Sequence, residues 1–235
     1  MTRPEGRPVS VPTEAGEMPA VLWLPEAGTG AGVLLLQEIF GVSAYIRRRA
    51  ADLAEAGYVV LAPELYWRLD ATPIHEAGEG AVQVAMERVQ QLDWDSAVAD
   101  AVAALGVLTA RAEVTGPTAV LGFCLGGGLA FNVAAEADVD ALVSYYGSAL
   151  TGLLHLAPKV SAPSLHHFGE ADSYIDPDAV SAVRSAVTEH NDAVEFHTYP
   201  GADHAFDNSD FMLHHPEASS LAWERTLAFL SRTLG

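Results

Sequence analysis

The chain of 235 residues carries 12 basic and 31 acidic residues, a formal net charge of −19, and half of its residues are hydrophobic. This composition predicts a globular protein, and its negative charge argues against nucleic acid and acidic membrane surfaces as partners. One cysteine cannot form an internal disulfide, and neither a signal-peptide core nor an apolar run of roughly 18 residues is found, so we expect a cytoplasmic protein without a membrane span.

Apolar runs alternate with helical patterns along the chain. Strands are predicted at 20–24, 31–37, 58–63, 118–123, 141–147, 162–169 and 193–200. Helices are predicted at 43–57, 81–91, 94–111, 128–137, from residue 176 onward and at 216–233, with an irregular segment at 69–80. Strands separated by helices of about ten to fifteen residues indicate βαβ units. We therefore expect one α/β domain over residues 1–235, with a mostly parallel central sheet flanked by helices on both faces.

The segment "VLGFCLGGGLAF" (120–131) places Cys124 between a predicted strand and a predicted helix, in the pattern G-x-C-x-G. A sharp strand-to-helix turn strains its central residue and brings the flanking positions together, which favours glycine at 122 and 126. The sulfur then lies at a helix N-terminus, where a thiolate is favoured, and the amide of Leu125 can donate to an oxyanion. Free cysteine is also often buried, so packing is the alternative role; the two glycines favour a nucleophile.

A nucleophile at such a turn needs a base and a residue that orients the base, in the chain order nucleophile, acid, histidine. Asp172 follows the predicted strand at 162–169, and His204 lies in the loop after the strand at 193–200. Because the carboxyl ends of parallel strands share one edge of the sheet, we expect both side chains to meet Cys124 there. Asp176 remains an alternative orienting residue, and Asp172 could instead cap a helix.

Eight other histidines are candidates for the base. Five of them have a predicted location: His166, His167 and His197 within strands, and His214 and His215 in a surface loop before a proline. Only His204 lies in a glycine-led loop after the last strand. No histidine pair has the helical spacing of metal ligands, so we expect no metal site.

Glu38 follows the predicted strand at 31–37, within "LLLQEIFGV". A carboxylate at the end of a buried strand is costly unless it is paired or faces a cleft. Two interpretations stay open for Glu38: a surface glutamate at a strand end, or a fourth member of the site.

Taken together, these segments resemble the dienelactone hydrolase family, the carboxymethylenebutenolidases, within the α/β-hydrolases. The resemblance covers nearly the whole chain and rests on "LLLQEIFGV", "AEAGYVVLAPELY", "GFCLGGGLAF", "YYG", "FGEAD", "GADHAF" and "ERTLAFL". It implies an α/β-hydrolase fold and a catalytic triad of Cys124, Asp172 and His204. We expect no cofactor.

The same resemblance implies further roles. In the family, the resting cysteine is protonated and hydrogen-bonded to a glutamate, here Glu38; substrate displaces this carboxylate, which takes the proton and leaves a thiolate. The oxyanion hole would use the backbone amides of Leu125 and Ile39. Phe40 and Tyr145, from the matching segments, are candidate substrate contacts.

The chain departs from the family pattern at the arginines that hold the carboxylate of dienelactone. The position four residues after His204 is Asn208, and no arginine lies between Arg68 and Arg88. Arg88 could substitute, although an exposed helix face is the other interpretation. The loss of a bidentate arginine removes carboxylate-specific contacts. We therefore expect the substrate to be a small ester or lactone other than dienelactone, without a free carboxylate.

Three functions follow from these observations. A cysteine-dependent hydrolase of small esters or lactones is favoured by the turn at Cys124, the ordered triad and Glu38. A non-catalytic small-molecule-binding protein that retains the fold is the alternative, motivated by the missing arginines. A thiol-redox role is disfavoured because the chain has no second cysteine to resolve a disulfide. Both a monomer and a homodimer are compatible with the sequence.

Overall fold

A computed structural model of the chain describes residues 3–69 and 74–235. Residues 70–73, within the segment predicted to be irregular, lie outside the described residues. The described part contains eight strands in a mostly parallel sheet together with helices, which confirms the predicted α/β fold class. The chain divides into two compact units, residues 1–118 and 119–235, and the boundary falls within a strand.

The first unit holds four strands and three helices. They are β1 (Arg7–Thr13), β2 (Gly16–Trp23), β3 (Gly30–Leu36), α1 (Ala44–Glu55), β4 (Val59–Pro63), α2 (Ala81–Val89) and α3 (Trp94–Thr109). The strand order is β1-β2-β4-β3; β3 and β4 are parallel, and β2 pairs antiparallel with both β1 and β4. Strands β3 and β4 are almost wholly buried, as their continuous apolar sequences predict.

Strand β1 was not predicted from the sequence. Its single fully buried side chain is Val11, and the other residues are exposed or half-buried. Pro8 and Pro12 interrupt the alternation that would identify a strand, and prolines of this kind are found on edge strands. The strand exists because it forms a hairpin with β2, a pairing that a local apolar pattern cannot predict.

The second unit begins inside the fifth strand. It contains β5 (Val114–Phe123), α4 (Leu125–Glu136), β6 (Ala141–Tyr145), β7 (Ser164–Gly169), α5 (Pro177–Glu189), β8 (Val194–Tyr199) and α6 (Pro216–Leu234), with 3₁₀ turns at Leu150–Gly152 and Leu154–Lys159. The order β5-β6-β7-β8 is parallel throughout. The predicted strands and helices are therefore confirmed, with boundaries shifted by a few residues, and the carboxyl ends of these strands lie at one edge.

Two boundaries in the second unit bear on the site. Helix α4 begins at Leu125, directly after the cysteine, three residues earlier than predicted. Strand β6 ends at Tyr145, because Tyr146 adopts a left-handed backbone with φ of 36° and leaves the extended conformation. As a result, the chain turns sharply at the carboxyl ends of both β5 and β6.

Candidate active site

The turn between β5 and α4 holds Cys124 at φ 52° and ψ −113°, a conformation that non-glycine residues rarely adopt. Its backbone N–H donates to the carbonyl of Tyr145 at 3.0 Å. A Cβ at Gly122 would lie 1.9 Å from the carbonyl oxygen of Gly126, so no larger residue fits at position 122. The predicted close approach of the flanking glycines is confirmed, and with it the sharp turn that presents the sulfur.

Three side chains that follow β5, β7 and β8 meet at the carboxyl edge of the second unit. The Sγ atom of Cys124 lies 3.1 Å from Nε2 of His204, and Nδ1 of that imidazole lies 2.9 Å from Oδ2 of Asp172. All three residues are buried, each with less than a tenth of its surface exposed. The structure thus brings together the three side chains for which the chain order predicts the roles of nucleophile, base and orienting acid.

The structure distinguishes between the two aspartates that were candidates for orienting the imidazole. Asp176 is the N-cap of α5 and accepts the N–H of Ala179 at 2.8 Å. Asp172 uses Oδ1 to accept the N–H groups of Tyr174 and Ile175, at 2.8 and 2.9 Å, which leaves Oδ2 directed at the imidazole. Asp172 therefore does not cap α5, and its carboxylate is held by its own turn.

His204 is buried between the sulfur of Cys124 and the carboxylate of Asp172. Burial by itself lowers the pKa of His204, but the charge on Cys124 and the hydrogen bond with Asp172 outweigh it and hold this pKa well above 6.5. A proton therefore stays on the imidazole at neutral pH when the sulfur is ionised. The arrangement can stabilise a Cys124 thiolate by pairing it with a His204 imidazolium.

Backbone strain in the described residues is confined to this site. Three non-glycine residues have positive φ: Cys124, Tyr146 at 36° and Ala205 at 55°. Tyr146 places its ring 5.2 Å from that of His204, centre to centre, and Ala205 immediately follows the histidine. Conformations of this kind cost of order 1–3 kcal/mol each and persist only where the surrounding packing imposes them.

Asp203 is a member of the site that the sequence analysis missed. Its Oδ1 accepts the N–H of His204 at 2.6 Å and that of Ser173 at 2.7 Å, so it joins the loop after β8 to the turn carrying Asp172. Partial burial raises the pKa of Asp203, but these backbone donors outweigh it and lower the pKa overall. Its position directly before the histidine in "GADHAF" was the available signal.

Tyr145, expected to contact substrate, instead lies fully buried in the core. Its hydroxyl pairs with Thr226 of α6 at 2.6 Å, and Thr226 also pairs with Nε2 of His167 at 3.1 Å. Nδ1 of His167 pairs with the hydroxyl of Tyr199 at 2.7 Å, so the polar atoms form a continuous buried chain. This chain fastens α6 to the ends of β6, β7 and β8, which gives Tyr145 a structural role.

The remaining residues proposed from the sequence divide between the two units. Asn208 is fully buried after His204, with its Oδ1 accepting the N–H of Asp210 at 3.0 Å. In the first unit, Glu38 and Phe40 are buried beyond β3, and the carbonyl of Ile39 accepts the hydroxyl of Tyr66 at 3.0 Å. The surface interpretation of Glu38 is thereby excluded, whereas the roles proposed for Glu38, Ile39 and Phe40 stay predictions.

The arginines after β4 are engaged within the first unit. Arg68 forms a two-pronged ion pair with the buried Asp100 of α3, one contact being 2.9 Å, and Asp100 also accepts the indole N–H of Trp67 at 2.8 Å. Arg88, half-buried on α2, lies 5.6 Å above the ring of Tyr66. The guanidinium of Arg68 is thus neutralised by a carboxylate of the protein itself.

Within residues 3–69 and 74–235, no cluster of three or more histidine, cysteine or acidic side chains has the geometry of a metal site. In the same residues, no helix is both long and apolar enough to cross a membrane.

A strained residue between a parallel strand and a helix, followed in chain order by an acid and a histidine, is the arrangement of the α/β-hydrolases. The family model of the dienelactone hydrolases matches residues 18–234. The chain belongs to the dienelactone hydrolase family, and it is accordingly a hydrolase.

Individual relatives agree with this assignment. Carboxymethylenebutenolidase of Pseudomonas sp. is 36% identical over 221 residues, with 92% of this chain and 91% of that protein covered. Carboxymethylenebutenolidase 1 of Cupriavidus pinatubonensis is 33% identical over 225 residues, with 92% of each chain covered. Among solved structures, a candidate dienelactone hydrolase from Klebsiella pneumoniae has a TM-score of 0.82 at 29% identity, covering 96% of this chain and 98% of that one.

Proposed function

We propose that the protein hydrolyses small carboxylic esters or lactones through a covalent acyl-cysteine, with Cys124 as nucleophile, His204 as acid and base, and Asp172 as the residue that orients the imidazole. The observation that carries the proposal is the contact of 3.1 Å between Sγ of Cys124 and Nε2 of His204, backed by the 2.9 Å contact to Asp172. These distances lie within the reach required of a nucleophile, a base and an orienting group.

Acylation would proceed from the thiolate–imidazolium pair. The sulfur attacks the carbonyl carbon, a C–S bond forms, and the carbonyl π electrons move to oxygen. The N–H of Leu125, at the start of α4, is suited to stabilise that oxyanion because the first N–H groups of a helix lack intrahelical partners. Collapse of the intermediate breaks the C–O bond, and the leaving oxygen takes the proton from His204.

Deacylation would use the imidazole that acylation leaves neutral. His204 accepts a proton from water, the water oxygen attacks the acyl carbon, and the C–S bond breaks. The carboxylic acid is released, and the thiolate–imidazolium pair is restored. The raised pKa of His204 supports both half-reactions, since the imidazole must hold a proton before the first and regain one in the second.

The substrate proposed here lacks a free carboxylate. The relatives named carboxymethylenebutenolidase support lactone chemistry. However, Arg68 is neutralised by Asp100, and the position four residues after His204 is a buried, uncharged Asn208. A chain of net charge −19 also repels anionic substrates. These observations favour neutral esters and lactones over dienelactone itself.

Glu38 and Ile39 enter the proposal from the family resemblance. Glu38 would hold the resting thiol and accept its proton on substrate binding, and the N–H of Ile39 would be the second oxyanion donor. The near-complete burial of Glu38 supports this role over that of a surface glutamate. Coupling ionisation to substrate would also protect the sulfur from oxidation.

The test is hydrolysis of p-nitrophenyl acetate by the wild type, Cys124→Ala and the control Ser181→Ala, whose hydroxyl lies on the exposed face of α5. We expect Cys124→Ala to fall to the uncatalysed rate and Ser181→Ala to match the wild type. Equal rates for wild type and Cys124→Ala would refute the nucleophile. No turnover by the wild type on any ester would favour the non-catalytic binding protein.

Substrate class is tested by a pair of lactones of equal ring size, one neutral and one bearing a carboxylate. We expect kcat/KM to be about tenfold or more higher for the neutral lactone, since a charge-assisted clamp is missing. A preference for the carboxylate lactone would overturn this part of the proposal and leave the nucleophile intact.

A further inference from the structure

A second polar side chain contacts the sulfur of Cys124. The hydroxyl of Ser148, in the turn that follows β6, lies 3.8 Å from Sγ. The backbone N–H of Ser148 also donates to the carbonyl of Cys124 at 3.3 Å. Two contacts thus join Ser148 to the same residue, and the backbone hydrogen bond holds the main chain of Ser148 beside the nucleophile.

The turn that carries Ser148 is built to place this residue. Gly147 precedes it, and a Cβ there would lie 2.7 Å from Cδ1 of Leu150 and 2.8 Å from Oγ of Ser144. Before Gly147, Tyr146 has positive φ, and its N–H donates to the carbonyl of His167 at 2.7 Å. The approach of Ser148 to the nucleophile is therefore imposed by packing around a strained turn.

A serine hydroxyl has one O–H donor, and a thiolate is a far better acceptor than a thiol. A hydrogen bond made to the charged form of a group favours that form. At 3.8 Å the contact is long for a neutral thiol and can shorten when charge develops on sulfur. The hydroxyl would then share with the imidazolium the task of stabilising the thiolate.

We propose that Ser148 is a further catalytic residue, whose hydroxyl donates to the thiolate of Cys124 and stabilises the sulfur in its ionised form. The inference rests on the proposed role of Cys124. Among the titratable groups of the second unit, His204 contacts the sulfur directly and Asp172 contacts His204 from the other side. The ring of Tyr174 lies 5.1 Å from that of the histidine.

The experiment measures the second-order rate constant for alkylation by iodoacetamide between pH 5 and pH 10. Cys124 is the only cysteine, so the reaction reports this sulfur alone. The proteins are the wild type, Ser148→Ala, Ser148→Thr, which keeps a hydroxyl, and Ser181→Ala as a control remote from the sulfur.

On the acidic limb of the profile, we expect Ser148→Ala to react about threefold to tenfold more slowly than the wild type, the factor that one hydrogen bond supplies. On the alkaline plateau it should react as fast or faster, because a thiolate with fewer donors is more nucleophilic. Ser148→Thr should recover at least part of the acidic rate, and Ser181→Ala should follow the wild type.

Two outcomes would overturn the inference. One is a Ser148→Ala profile that superimposes on the wild type; the other is an equal loss at every pH, which indicates altered packing only. Alkylation does not require ester turnover, so failure of the Ser148 inference is distinguishable from failure of the proposed hydrolysis, which Cys124→Ala tests separately.

Discussion

Oδ2 of Asp172 lies 2.9 Å from Nδ1 of His204, while Oδ1 of the same carboxylate accepts two backbone N–H groups of its own turn. One oxygen is thus anchored by the backbone, and the other faces Nδ1, where a carboxylate favours an N–H. Nε2 is left facing the sulfur, so the orientation of the ring is held by one side chain.

Replacement of this carboxylate by an amide should therefore impair the action of His204 as acid and base. We expect Asp172→Asn to lower kcat on p-nitrophenyl acetate by about 10²- to 10⁴-fold, because an amide can donate to Nδ1 and favour the wrong tautomer. Asp176→Asn is the matched control, since Asp176 only caps α5, and asparagine is an equally good cap. Similar losses in both variants would contradict the assignment of Asp172.

Ionisation of the sulfur should depend on His204. Because its pKa lies well above 6.5, the imidazole keeps a proton across neutral pH and loses it only as the pH rises through the raised value. At pH 6.5 we expect iodoacetamide to alkylate Cys124 faster in the wild type than in His204→Gln. In His204→Gln the rate should instead follow an ordinary thiol with pKa ~8.5 and fall about tenfold per pH unit below it. Coincident pH profiles would rule out the ion pair.

The buried His166 should make the fold sensitive to acid. Burial between the rings of Phe131 and Phe196 lowers the pKa of His166 to about 4. Between pH 6.5 and 4, the unfolded chain therefore binds a proton at His166 that the folded chain does not bind. The contribution of His166 to the free energy of unfolding is present above pH 6.5 and is lost as the pH falls toward 4. The full contribution is about 3 kcal/mol.

The measurement is the free energy of unfolding in urea at pH 7, 5.5 and 4.5. We expect the wild type to lose stability over this range more steeply than His166→Leu, which keeps an apolar side chain and cannot titrate. Parallel losses in the two proteins would show that His166 is not the group responsible. His167, whose pKa burial also lowers, should keep a residual slope in the variant.

Two glycines should respond in opposite ways to the same substitution. A Cβ at Gly122 would clash with the carbonyl of Gly126 at 1.9 Å, whereas a Cβ at Gly106, within α3, would meet nothing within 4 Å. We expect Gly122→Ala to destabilise the fold by more than ~3 kcal/mol or to prevent folding. Gly106→Ala should stabilise it by about 0.5–1 kcal/mol.

Thermal unfolding of the two glycine variants decides the point. A stable, active Gly122→Ala protein would mean that the turn can relax and that close approach of the strand and helix is not required. A destabilised Gly106→Ala would instead indicate that α3 is packed more tightly at this residue than the structure describes.

Local sequence was sufficient wherever the physical cause is local. Continuous apolar runs identified β3 and β4, because strands buried on both faces have no polar side to alternate with. The glycines around Cys124 identified the turn, because a Cβ at position 122 would lie 1.9 Å from the carbonyl oxygen of Gly126. Chain order alone also placed an acid and a histidine after successive parallel strands.

Other features depend on contacts between distant segments. The sequence favours Asp172 over Asp176 by its position nearer the strand end, and the contact with His204 distinguishes the two side chains in the structure. Tyr145 faces the core because Thr226, 81 residues later, supplies its hydroxyl with a partner. Strand β1 forms because β2 offers an edge.

The amino-acid sequence by itself therefore determined the order of strands and helices, the strained turn and the candidate nucleophile, since each follows from side-chain periodicity or from a steric limit within a few residues. Tertiary structure alone decided that Asp172 contacts His204 while Asp176 caps α5, that Tyr145 pairs with Thr226, and that Ser148 reaches the sulfur. Hydrogen-bond geometry and burial are set by residues far apart in the chain, and no local pattern encodes them.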